Sequence, residues 1–197
     1  MNDGATQKGE QLGIGRFTDD PSRAWTLPSE WYTDPAVFDA ERRRIFYRNW
    51  WFIGHVEDLG TSGSYVTARV LDQEVFVVHG KDGVLRGFFN VCSHRAHPLL
   101  RGKGHCGPII CPYHAWAYNT EGRFCGARGL NLVADFDRAE ANLKPIKVEV
   151  FAGLVFANLD DAARPLAESA PEVLGHLLDA CPRLPELTHA YSFSVDI

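Results

Sequence analysis

Residues 92–98 read Cys-Ser-His-Arg-Ala-His-Pro and residues 109–116 read Ile-Ile-Cys-Pro-Tyr-His-Ala-Trp. Each stretch carries one Cys/His pair, Cys92 with His94 and Cys111 with His114, in the pattern C-x-H-x16-C-x2-H. Each pair falls in a tight, proline-containing turn after an apolar run, so the spacing predicts two loops closing on one metal centre. Two thiolates and two imidazoles form a soft-to-borderline donor set, suited to zinc or to an iron–sulfur cluster.

The chain around these loops has the texture of an all-β unit. Short runs rich in β-branched and aromatic residues over 51–55, 64–71, 74–79 and 84–89 alternate with Gly60, Gly63, Asp72-Gln73 and the turn 80–83. Such runs predict antiparallel strands of a sandwich or barrel. The second loop is flanked by 108–110 and 115–119, and a turn follows at 120–123. Residues 146–151 and 154–158 bracket Ala152-Gly153 as a closing hairpin.

Residues 1–23 are polar and aperiodic and predict a mobile arm. Asp34 before Pro35 is a helix-start signal, an N-cap acceptor with proline at the first helical position, and Val37, Phe38, Ile45 and Phe46 recur at helical spacing. A packing helix over 35–47 is expected. After the polar linker 160–164, Val173, Leu174, Leu177 and Leu178 predict a second helix over 167–180, which Pro182 and Pro185 stop. Residues 190–197 alternate like the start of a strand.

The 197 residues are 45% apolar, 12% aromatic and 23% charged, an ordinary globular balance. A net charge of −5 argues against nucleic acid, which needs clustered Lys and Arg, and Arg42-Arg43-Arg44 reads as a solvated helix face. The apolar runs at 75–78 and 154–157 are far below the roughly 20 residues of a membrane span, and the N-terminus lacks the apolar core of a signal peptide. A cytoplasmic location is expected. The remaining thiols, Cys106, Cys125 and Cys181, read as reduced structural cysteines rather than a disulfide framework. His105 and Cys106 lie in the crossing between the loops and are the obvious decoys.

The Cys-x-His and Cys-Pro-Tyr-His pairs together resemble the Rieske [2Fe–2S] domain, and the flanking text resembles the ring-hydroxylating oxygenase α-subunits of the Rieske non-haem iron oxygenases. That resemblance implies that Cys92 and Cys111 bind one iron and His94 and His114 the other. It also implies a mainly β fold, a Rieske-type antiparallel β-sandwich with a cluster-binding subdomain and flanking helices. Zinc remains the competing occupant, although zinc ligands usually come as C-x2–4-C followed by H-x3–5-H, whereas here each loop donates one of each.

On this reading the domains are an arm (1–23), a Rieske domain with its N-terminal helix (24–160), and a linker helix with the start of a truncated catalytic domain (161–197). Tyr113 and Trp116 join the cofactor-binding set as an aromatic shell. The mononuclear Fe(II) is expected only in the missing catalytic domain, in a homotrimer or α3β3 assembly fed by a reductase or ferredoxin. Membranes and nucleic acid are not expected as partners. The loop text looks closest to oxygenases of trimethylammonium compounds such as carnitine or choline, and aromatic acids are the other substrate class. A free-standing Rieske ferredoxin is the alternative, a zinc-stabilised interaction module a third. Respiratory Rieske proteins carry a loop disulfide at places that here look to be His97 and Tyr113, so a low potential is expected. Tyr118 is a candidate hydrogen-bond donor to a sulfur.

Overall fold

In the computed structural model, residues 18–130, 134–188 and 190 are described, and the chain divides into two compact units at residues 48/49. In the first unit a short helix α1 (Glu30–Thr33) precedes α2 (Pro35–Arg44). Asp34 joins them: its N–H donates to the Glu30 carbonyl at 2.8 Å, and its carboxylate accepts from Ala36 N–H at 2.8 Å. Arg42, Arg43 and Arg44 occupy the last turn, where cations complement the helix dipole, and Asp39 pairs with both Arg42 and Arg43 at 2.5 Å. The expected helix thus ends at Arg44, and a separate 3-10 turn, Phe46–Arg48, follows.

The second unit is mainly β. Its described residues include ten strands: β1 (Trp51–His55), β2 (Ser64–Val70), β3 (Gln73–His79), β4 (Leu85–Phe89), β5 (Lys103–His105), β6 (Ile109–Ile110), β7 (Ala117–Tyr118), β8 (Phe124–Gly126), β9 (Pro145–Phe151) and β10 (Leu154–Asn158). A seven-stranded antiparallel sheet runs β1-β10-β9-β4-β3-β2-β5, and a three-stranded sheet runs β6-β7-β8. The first candidate loop lies between β4 and β5, the second between β6 and β7. Strand β5 is the main departure from the sequence reading, which took 103–105 as part of a glycine-rich crossing. Lys-Gly-His is exposed throughout, and what makes it a strand is the free edge of β2, to which Lys103, Gly104 and His105 pair.

The β9–β10 hairpin turns at Ala152 (φ 49°) and Gly153 (φ 83°), with Phe151 opposite Leu154, the two-residue positive-φ geometry that matches strand twist. Glycine is required at 153 for a second reason, since a Cβ there would stand 2.7 Å from His55 Nε2.

Strand β3 explains the layering. Val75 and Val77 enter one core with Ile53, Val66, Val70 and Val155, while Phe76 and Val78 enter another with Phe88, Cys92, Leu99, Ile109, Cys111 and Tyr118. All four β3 side chains are fully buried, so the strand reads Val-Phe-Val-Val instead of alternating. At about 1.5–3 kcal/mol for each large apolar side chain taken from water, this strand anchors both layers.

C-terminal to β10, Lys147 Nζ donates to the Ala163 carbonyl and Glu149 Oε2 accepts from Leu166 N–H at 2.8 Å, tying the linker to β9. The single helix expected over 167–180 is two, α3 (Leu166–Ser169) and α4 (Pro171–Ala180), because Pro171 has no N–H to continue the first. Residues 1–17 of the expected arm and residues 191–197 of the expected strand lie outside the described residues.

Candidate metal centre

Both loops are built on one backbone frame. In the first, Cys92 N–H donates to the His97 carbonyl at 2.9 Å and Ala96 N–H to the Cys92 carbonyl at 2.9 Å. In the second, Cys111 N–H donates to the Trp116 carbonyl at 2.8 Å and Ala115 N–H to the Cys111 carbonyl at 3.0 Å. The fourth residue after each cysteine, Ala96 and Ala115, is left-handed, with φ 55° at each. The register of the small sheet then sets the second loop on the β6–β7 hairpin, Ile109 opposite Tyr118 and Ile110 opposite Ala117.

The frames bring the four candidate ligands together as two pairs. Cys92 and Cys111 are each 2% exposed and belong to one core. Burial pushes the Cys92 thiol up, and the adjacent Cys111 adds to the shift, while Tyr118 and the His94 backbone oppose it. His94 and His114 are exposed, their ring centroids 4.8 Å apart at 70°. Partial desolvation, then the neighbouring His114 and Arg95, hold His94 below its ordinary value, which favours the neutral imidazole that metals bind.

Among the described residues no three His, Cys, Asp or Glu side chains converge as they would around a single ion. Two buried thiols and two exposed imidazoles suit a binuclear cluster taking two ligands on each iron, the donor chemistry of a Rieske [2Fe–2S] centre.

The other histidines and thiols lie outside the two Cys/His pairs, and four of the histidines bond to the backbone. His55 Nδ1 accepts from Glu57 N–H at 3.3 Å, and the Leu59, Pro98 and Ser62 carbonyls accept from His79 Nδ1, His97 Nδ1 and His105 Nε2 at 2.6, 2.6 and 2.7 Å. Cys106 is half-buried 3.5 Å from the Gly63 carbonyl, Cys125 is exposed, and Cys181 lies at the end of α4.

The surrounding shell is aromatic, as the sequence suggested. Trp116 stacks on His94 across the loops, centroids 4.9 Å apart and planes at 5°, and packs on Phe124 and Phe136. Tyr113 lies 3.8 Å from His114 and 5.7 Å from His97, so His97 and Tyr113 do meet, as an aromatic contact. Tyr118 is wholly buried; its oxygen lies 3.2 Å from Cys92 Sγ and accepts from Ser93 N–H at 3.1 Å, which leaves its O–H to point at the sulfur. Burial first, then the Cys92 thiol, raises its pKa, so it stays a donor. Three supporting residues escaped the sequence reading: Ser93, whose Oγ donates to the Asn142 carbonyl at 3.1 Å; Asn142, whose Oδ1 accepts from Phe124 N–H at 2.8 Å; and Asn90. Only Asn90 left a signal, a polar residue closing an apolar strand. An open cleft of about 860 Å³ runs beside the histidines, lined among others by Trp116, Leu130, Phe136 and Arg128.

Residues 49–137, which hold both loops, match the Rieske [2Fe-2S] domain family, an iron–sulfur class. The chain carries a Rieske [2Fe–2S] domain homologous to those of the Rieske oxygenases, and the cofactor of that domain is the Rieske cluster. It is 38% identical over 179 residues to the carnitine monooxygenase oxygenase subunit of Escherichia coli (strain K12), covering 90% of this chain and 48% of that one. To the chloroplastic choline monooxygenase of Beta vulgaris it is 33% identical over 184 residues, 89% of this chain and 41% of the relative. Among solved structures, the quaternary ammonium Rieske monooxygenase CntA in complex with L-carnitine superposes with TM-score 0.83 at 38% identity, over 89% of this chain and 50% of that one. Naphthalene 1,2-dioxygenase with indole bound gives 0.72 at 29%, over 77% and 35%. The chain spans about half the length of the curated carnitine monooxygenase subunits it matches. Among the described residues no helix is long and apolar enough to cross a membrane.

Proposed function

We propose that this chain supplies the electron-transfer domain of a Rieske oxygenase, with Cys92 and Cys111 holding one iron and His94 and His114 the other. The observation that carries the reading is the two-plus-two grouping of these donors on twin loops, two buried thiols in one core beside two exposed imidazoles in contact. When bound, the cluster supplies a one-electron store. The protein supplies the rest: a dry pocket for the thiolates, a Tyr118 hydrogen bond to Cys92, a Trp116 face that fixes the His94 ring, and an exposed imidazole edge for electron exchange.

The donor is a reductase or ferredoxin. The acceptor is a mononuclear iron of the 2-His-1-carboxylate type, carried on a neighbouring subunit of a homotrimer or α3β3 assembly. Its substrate is a quaternary ammonium compound; support comes from the higher identity to the carnitine monooxygenase subunit, 38%, than to naphthalene 1,2-dioxygenase, 29%. Reconstituted chain should take up a single electron from dithionite and contain equal amounts of iron and acid-labile sulfide. A colourless zinc-bearing product would refute the cluster reading. Oxygen uptake by the assembled oxygenase component that responds to naphthalene and not to carnitine would refute the substrate class.

A further inference from the structure

The neck of the second loop is a backbone ladder, β6 against β7. The first loop has β4 on one side only, since residues 99–102 form no strand. What closes it is a side chain. Asn90, 1% exposed, accepts through Oδ1 from Leu99 N–H and Leu100 N–H, both at 3.0 Å, and donates through Nδ2 to the Leu100 carbonyl at 2.8 Å. Its backbone N–H donates to the Glu74 carbonyl on β3 at 2.8 Å, so the side chain is held by the large sheet while it holds the loop. A carboxamide that donates and accepts at once toward a passing backbone does what the peptide of an adjacent strand would do. Among neutral side chains only Asn and Gln offer both functions in this geometry, and Asn has the shorter reach.

We propose that Asn90 is a positioning residue of the cluster site: its carboxamide stands in for the missing strand, closes the neck of the first loop, and so sets Cys92 and His94 against Cys111 and His114. The proposal rests on those four residues being the ligands. Removing the carboxamide takes their partner from the buried Leu99 N–H and from the part-buried Leu100 N–H and carbonyl, and the cheapest relief is for the loop to open.

The test uses the whole chain with its cluster assembled, comparing Asn90→Ala with Val155→Ala. Val155 lies in the other core and touches neither loop's cluster of buried residues. Asn90→Ala should lose its visible absorption to an iron chelator at least five-fold faster than wild type, with shifted g-values in the dithionite-reduced EPR spectrum. Val155→Ala should lose stability but show neither change. A cluster-loss rate raised less than five-fold, unshifted g-values, or the same changes in Val155→Ala would each show Asn90 to be ordinary scaffolding. If Asn90→Ala yields no folded chain, the same criteria apply to the isosteric Asn90→Asp, which keeps the acceptor and loses the amide donor. A wild-type chain without a Rieske-type EPR signal would sink the ligand assignment and this proposal together; a normal wild-type signal with an indifferent Asn90→Ala sinks this proposal alone.

Discussion

In the loop of residues 92–97 the candidate ligand histidine stands two positions after its cysteine, and in the loop of residues 111–116 three, yet the backbone bonds that close the two loops are the same. The frame is fixed by the cysteine N–H, the cysteine carbonyl and one left-handed residue, and the position of the histidine within it is free. The support differs more. The second loop is continuous with a hairpin, whereas the first is held by side chains: Asn90 at its neck, and Tyr118 and the Asn142 backbone against Ser93. A fold can therefore present two equivalent loop frames from inequivalent surroundings, provided buried polar side chains replace the absent ladder.

The largest expected effect breaks the symmetry outright. Cys111→Ser should lose most of the bound iron, and Cys106→Ser should keep it, because Cys106 sits at the edge of β5 against the Gly63 carbonyl and not in the thiol pair. Iron content and visible absorption decide the matter; equal losses in the two variants would overturn the assignment. Next comes Tyr118→Phe, which removes a donor from the sulfur of the first loop only. That bond stabilises the more negative, reduced state, and about 1 kcal/mol of preference corresponds to about 40 mV for a one-electron couple. Voltammetry should show the potential falling by that order, and an unchanged or higher value would mean that the hydroxyl does not serve the cluster.

Ala96→Gly and Ala115→Gly probe the shared frame. Left-handed backbone costs an L-residue about 1–2 kcal/mol, and glycine returns part of that gain as unfolded-chain entropy, so each should stabilise by about 0.5 kcal/mol. Denaturant midpoints that rise in one variant and fall in the other would show that the frames are not equivalent. The smallest effect lies outside both loops, in the β3–β4 turn. Arg86, bonded to Asp82 at 2.6 and 2.8 Å, holds that carboxyl well below its ordinary 3.8. Because the folded value is depressed, the pair contributes above about pH 4 and fades on further acidification. Asp82→Asn should thus be slightly less stable than wild type at pH 7, with the gap closing toward pH 3; urea midpoints at the two pH values check it, and a gap that widens in acid contradicts the sign.

Much of this molecule was legible beforehand because its signals are local. Strands 51–55 and 154–158 fall where the short β-branched and aromatic runs put them, and the Ala152-Gly153 turn is set by its own residues. The four donors stand out because soft metal-binding side chains are costly to gather by chance, and their spacing survives without any knowledge of the fold. What the sequence left undetermined depends on partners distant in the chain. Lys103–His105 becomes a strand only because β2 has an open edge, and Val-Phe-Val-Val of β3 could not be divided between two cores until both cores existed. The same holds for the decoy histidines, which a backbone carbonyl or N–H occupies from outside their own turns in two cases, 20 and 43 residues away. Chemistry is written in residue types and spacing, while the choice among chemically equal candidates is made by which of them the packed backbone brings together.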